Sequence, residues 1–283
     1  MAHDQTLIFL HIPKTAGVTV SRTLLRQYIP DQVFHVRNPS SPRSPTFSPN
    51  HGSVEHFASL PEERRAKFRC ILGHFHFGIH EHVPGEFTYF TVLRDPIERI
   101  YSQHRQYNKM VRKNNVDGQA ELGLKAFCDS HPKTIDNFLI RFLCGPCSEK
   151  YTVEENLARS RNNLKNHFVL VGAQERFAES MLLLEHLMGW KDASYHDHNV
   201  SERPPEDERA DPEFLAELIR INAHDQRLHA DTSAALQQRI ETFAGDFKKD
   251  LNKFHKRVEA RRRKPADGLG VRVRRRIRRL LSR

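Results

Sequence analysis

Residues Phe9–Val20, FLHIPKTAGVTV, place the tightest limit on the fold of this chain. An apolar run, LIFLHI (7–12), breaks at a proline, a lysine, a threonine and a glycine, then restarts as VTVSRTLLRQYI (18–29) with helical spacing. A strand that gives way to a helix within six residues belongs to a sheet with helical crossovers. The same alternation recurs downstream. RCILGHF reads as a strand ending at Gly73, and FTYFTVLRDP as a third strand halted at Asp95-Pro96. Asp as N-cap with Pro at the first helical position then starts the helix PIERIYSQHRQYNKM. HFVLVGAQERF predicts a fourth strand, with a helix after it that stops near Gly189. LPEERRAKF predicts a short helix, residues 110–160 read as mostly helical with loops, and the stretch from Asp211 to Ala244 as helical. The Pro- and Ser-rich segment 37–53, with Pro39, Pro42, Pro45 and Pro49, predicts a mobile loop. The expectation is an α/β fold, a parallel sheet covered on both faces by helices.

Charge divides the chain. Residues 253–283 carry 14 Lys or Arg against Glu259 and Asp267, a net of +12, which leaves residues 1–252 at about −2 of the chain's +10. The expected organisation is therefore one domain, 1–252, and a basic tail, 253–283. A near-neutral body gives no footprint for specific nucleic-acid binding. In the tail, Val273, Ile277, Leu280 and Leu281 make one apolar stripe on a basic helix, suited to an anionic membrane surface; a disordered polycation is the alternative. No apolar run reaches the ~18 residues of an ordinary membrane span. The N-terminus lacks the positive region of a signal peptide, so a cytoplasmic protein, peripheral to the membrane, is expected. Cys70, Cys128, Cys144 and Cys147 include one C-x-x-C, CGPC, without a second pair, and read as reduced structural thiols.

In parallel sheets ligands sit beyond the carboxyl ends of the strands. The residues there are His11–Gly17, Gly73–His76, Arg94–Asp95 and Gly172–Arg176. PKTAG joins a strand to a helix through small residues, and backbone N–H groups at a helix N-terminus hold anions. Lys14 adds a charge, and Thr15 and Thr19 add hydroxyls. The hydrolase pattern G-x-x-x-x-G-K-[ST] is absent, and a plain turn remains the competing reading. Arg94 leaves a strand end, and Ser102 lies two turns into the next helix on the face of Asp95 and Glu98, a pair fit for a phosphate monoester; pairing of Arg94 with a carboxylate is the alternative. GHFHFGIHEH offers His74, His76, His80 and His82. A zinc site is not expected from that spacing. Lys109, Arg112 and Lys113 read either as a solvated helix end or as a hold on an acidic sugar.

Together, HIPKTAG, GHF and RDPIERIYS, in that order and spacing, resemble the sulfotransferases that use 3′-phosphoadenosine 5′-phosphosulfate (PAPS). The likeness runs to the carbohydrate branch with the uronyl 2-O-sulfotransferases and bacterial relatives. LVGAQERFAES and HNVSERP extend it over roughly residues 6–230. The resemblance implies a P-loop-NTPase-like α/β fold, PAPS as donor with PAP as product, a carbohydrate acceptor and no metal. It implies a 5′-phosphosulfate loop of Pro13, Lys14, Thr15, Ala16, Gly17, Val18 and Thr19, with Val18 where many relatives carry a hydroxyl. Arg94 and Ser102 match the 3′-phosphate ligands, and Ser201 and Arg203 fall where a later donor loop would lie. The acceptor's base would be a histidine, since the hydroxyl needs a base that is neutral near pH 7; His74 is the candidate and His76 the reserve. The rivals are a kinase of related fold using a nucleoside triphosphate, and a basic-tailed adaptor for membrane or nucleic acid.

Overall fold

Strict alternation of side chains along short buried strands lets one chain feed two cores, one on each face of a sheet. In the computed structural model, which describes residues 5–37, 48–114, 120–196 and 211–263, that is what the strands do. They are β1 (Thr6–Leu10), β2 (Val33–Val36), β3 (Asn50–Gly52), β4 (Cys70–Gly73), β5 (Phe87–Leu93) and β6 (Phe168–Ala173). The helices are α1 (Gly17–Gln27), α2 (Val54–Ser59), α3 (Glu62–Arg65), α4 (Pro96–Asn114), α5 (Leu124–Ser130), α6 (Pro132–Ile135), α7 (Phe138–Leu143), α8 (Val153–His167), α9 (Phe177–Met188), α10 (Pro212–Ile221), α11 (Ala223–Glu241) and α12 (Phe247–Arg262). Leu7 and Phe9 join Val20, Leu24, Met181, Leu184 and Phe254 on one face. Ile8 and Leu10 join Phe57, Leu139, Leu157, Leu164 and Leu228 on the other.

All strand pairs are parallel, in the order β3-β2-β4-β1-β5-β6. The chain leaves β1 toward β2 on one side and leaves β5 toward β6 on the other. Since β1 and β5 are neighbours, their outgoing loops part and leave a crevice beyond the strand ends, where ligands bind in sheets of this kind. A third apolar cluster, Ile97, Ile100, Tyr101, Phe127, Ile135, Phe214 and Leu218, anchors α4 on α5, α6 and α10 beside that crevice.

The expected parallel, helix-covered sheet is present, with three departures. VFHV forms β2, which the sequence reading passed over. Part of segment 37–53, read as loop throughout, pairs as β3 through Phe34↔Asn50, His35↔His51 and Val36↔Gly52. Third, the border expected at residue 252 falls inside α12. That helix runs through it unbroken, with Phe254 and Val258 buried against α9's core and Arg257 on Glu185 at 2.7 Å. Residues 253–263 belong to the body; the stripe from Val273 to Leu281 lies outside the described residues. Among the described residues no helix is long and apolar enough to cross a membrane.

Candidate active site

The ladder of β1 carries on past its last residue, with His11 N–H donating to the Gly73 carbonyl at 2.9 Å. The chain then turns through Lys14 (φ 73°) and Ala16 (φ 63°), two left-handed residues without glycine's freedom. Such strain persists where the surroundings over-determine it, and it clusters at functional sites. Helix α1 follows with no side-chain cap and no acid in its first turn, so its first N–H groups and positive dipole end stay available to an anion. Glycine is required at position 17, because a Cβ there would lie 1.6 Å from His11 Nε2. Thr15 is fully buried and its hydroxyl donates to the Ile12 carbonyl at 2.9 Å. Thr19 is also buried, while Lys14 and Val18 are half-buried.

Strand β4 stops at Gly73 (φ 148°), where a Cβ would meet the Val36 carbonyl at 2.1 Å. The next residue, His74, lays its ring against His11, centroid to centroid 4.0 Å, and places Nδ1 2.7 Å from the His11 carbonyl. A carbonyl only accepts, so Nδ1 carries the proton and Nε2 is the basic nitrogen. Burial lowers the His74 pKa below the ordinary 6.5, against the raising effect of that hydrogen bond. One side of the residue still meets solvent, as a cleft residue does. His76 goes elsewhere: its ring stacks on Phe142 of α7 at 5.1 Å, and its pKa too is lowered by burial. His11 is buried, and burial followed by the charge of His74 drives its pKa well below 6.5. His35 on β2 is buried as well, with its pKa lowered to about 3 by burial, then by Arg37 and His74. Sequence reasoning placed His11 among the residues beyond the strand ends without giving it a role, and passed over His35. Only strand order brings β2, β4 and β1 side by side. Among the described residues no group of three or more His, Cys, Asp or Glu is set to hold a metal ion.

Across the crevice Asp95 caps α4 as expected, accepting from the N–H groups of Ile97 and Glu98 at 2.9 Å each. Glu175, just past β6, accepts from Asp95 N–H at 2.8 Å and ties the two strand ends together. Arg94 pairs with Glu98 at 3.1 Å, the carboxylate alternative weighed for it, and burial lowers its pKa. Ser102 is buried on the same helix. Lys14 is pushed down to about 8 by burial and then, in order, by the charges of Arg94, Arg105, Lys109 and Arg99. The charge of Arg94 therefore reaches Lys14. A buried lysine whose pKa is lowered first by burial and then by nearby cations fits a site built for an anion. Ser201 and Arg203 lie outside the described residues.

A family model described as Galactose-3-O-sulfotransferase matches residues 2–268. Among solved structures, mouse sulfotransferase SULT7A1 complexed with PAP is 12% identical, the match covering 80% of this chain and 66% of that one at a TM-score of 0.38. A sulfotransferase from Alicyclobacillus acidocaldarius is 13% identical, with 79% of this chain and 95% of that one covered at a TM-score of 0.37. No curated protein matches the chain.

Proposed function

The chain belongs to the galactose-3-O-sulfotransferase family, whose sulfate donor is PAPS, and from that premise we propose that it transfers a sulfuryl group from PAPS to a carbohydrate hydroxyl, with His74 as the base. The family match points to the 3-hydroxyl of a galactose, a different acceptor in the same carbohydrate branch from the uronyl 2-hydroxyl of the sequence resemblance. The observation that carries the reading is the uncapped start of α1 behind Lys14, with a histidine of defined tautomer beside the loop.

The donor supplies an activated sulfuryl group whose departure leaves charge on its 5′-phosphate. Lys14 and the N–H groups opening α1 stabilise that charge where it develops. Arg94, exchanging Glu98 for the ligand, holds the 3′-phosphate together with Ser102. His74 Nε2 takes the acceptor's proton as the new oxygen–sulfur bond forms, and the electron pair of the broken bond stays on the phosphate oxygen. A neutral base at pH 7 is what the lowered His74 pKa provides. Exposed Lys109, farther out on α4, supports an acidic group on the acceptor. The basic segment 264–283 supports work in the cytoplasm at an anionic membrane surface.

The test separates the roles. His74→Ala should lower transfer by ~10²–10⁴-fold with PAP affinity nearly intact. Arg94→Ala should weaken PAP by ~1.5–3 kcal/mol. Equal loss of PAP affinity in both variants refutes the division, and full loss of transfer only in His76→Ala moves the base. Tighter binding of ATP with magnesium than of PAP would favour a kinase instead.

A further inference from the structure

Helix α4 carries Arg105 on the face of Ser102. Arg105 lies three residues beyond Ser102 and seven beyond Glu98, about 4.5 Å along the helix axis from the serine. Its Nε and Nη1 are buried and have no hydrogen-bond partner among the described residues. The acids of its neighbourhood are spent elsewhere, Glu98 on Arg94 and Glu121 on Arg112. The polar neighbours His104 and Asn108 are turned to the Leu122 carbonyl, at 2.6 and 3.0 Å. What Arg105 does face is cationic, since its charge lowers the pKa of both Lys14 and Arg94. Buried guanidinium donors without acceptors are rare in folded proteins and call for a specific explanation.

We propose that Arg105 is a further donor-binding residue, its buried N–H groups donating to an adenosine bisphosphate or phosphosulfate held between the Lys14 loop and the Arg94–Ser102 pair. The proposal rests on the donor site proposed above and adds a ligand to it. Arg105 shares the helix face of Ser102, and its charge is felt at Lys14 and Arg94, the other two proposed donor grips. Lys109 and Arg112 are more exposed. An anion bridging the grips converts three mutually repelling cations into one compensated cluster.

Titration calorimetry with PAP on the full chain, for wild type, Arg105→Gln and Arg105→Lys, tests this. Thermal melts with and without PAP accompany it. Arg105→Gln should weaken PAP at least 10-fold, and Arg105→Lys should retain part of the affinity. The melting temperature of ligand-free Arg105→Gln should equal or exceed that of wild type, while its rise on adding PAP shrinks. Unchanged PAP affinity in Arg105→Gln overturns the proposal, and a rise confined to the acceptor's KM would assign the residue to the acceptor. A lower ligand-free melting temperature would make Arg105 a structural group and overturn it equally. Should wild type itself fail to bind PAP, the donor site falls and the proposal falls with it; PAP binding that ignores Arg105 sinks the proposal alone.

Discussion

Lys14 and His74 divide the pH axis between them. The free protein lowers Lys14 to about 8 and His74 below 6.5, both chiefly through burial. Transfer needs Lys14 charged and His74 neutral, so kcat/KM for PAPS should form a bell with its acid limb below 6.5 and its alkaline limb near 8. A bound phosphate favours the charged lysine, which pushes the alkaline limb of kcat to higher pH than that of kcat/KM. Lys14→Arg keeps a charge that does not titrate in this range, so its kcat/KM should lose the alkaline limb whatever its absolute rate. An alkaline limb near 8 that survives in Lys14→Arg would remove Lys14 from that role. These residues were legible from the sequence because each sits in a local pattern, a strand end followed by a loop or a capped helix. His35 was passed over and His11 was noted only for its place at a strand end, because nothing local gives either of them a role. Their burial and the stacking of His11 on His74 arise only when β1, β2 and β4 lie side by side.

Elements that announce themselves through periodicity or caps were read correctly, and those held by a neighbour were not. Strand β2 offers four residues, and β3 offers Asn50, His51 and Gly52, without a strand former among them. Its conformation comes from pairing with β2, so no propensity could show it. The loop after β1 is different, because its geometry is written in one glycine. Gly17→Ala would drive a Cβ into the His11 ring, displace the ring beneath His74 and disturb the start of α1. Both PAP affinity and transfer should fall in that variant, by calorimetry and by sulfate incorporation, whereas a normal pair of values would show that the ring moves freely. Helix α7 depends on another cross-chain device. Asp225 of α11 accepts from the N–H groups of Leu139 and Ile140 at 2.7 and 3.0 Å and is fully buried. Burial raises its pKa from 3.8 to about 6 in the fold. The folded state then binds more protons than the unfolded state between about 4 and 6, so this group's contribution to stability declines as pH rises through that window. Asp225→Ala should cost ~1–3 kcal/mol for each N–H left without a partner and should flatten that slope, both measurable by urea unfolding at pH 4 to 7.

The whole molecule is a neutral sheet-and-helix body with its charge gathered at one end, but the body ends later than composition suggests. Charge counting set the border where basic residues begin; packing sets it where burial ends. Helix α12 is basic on its outer side and apolar within, and Phe254 and Val258 fill the core against α9. Arg257 reaches the buried carboxylate of Glu185 and also Asp192, which Arg261 holds at 2.5 Å. Removing those arginines would leave Glu185 buried and unpaired, a strongly destabilising arrangement. Truncation after Asn252 should therefore yield a protein that melts far below wild type or fails to fold, and Phe254→Ala alone should cost ~3–5 kcal/mol. Truncation after Arg263 keeps all of these contacts and should melt as wild type does. It removes eight Lys or Arg against Asp267, and with them the apolar stripe from Val273 to Leu281. That shorter chain is the one to compare with the full chain on vesicles of anionic lipid. Retained PAP binding with lost vesicle binding would place membrane association in residues 264–283. Equal partition of the two chains would place it on the body, where Lys248, Lys249, Lys253 and Lys256 of α12 are exposed.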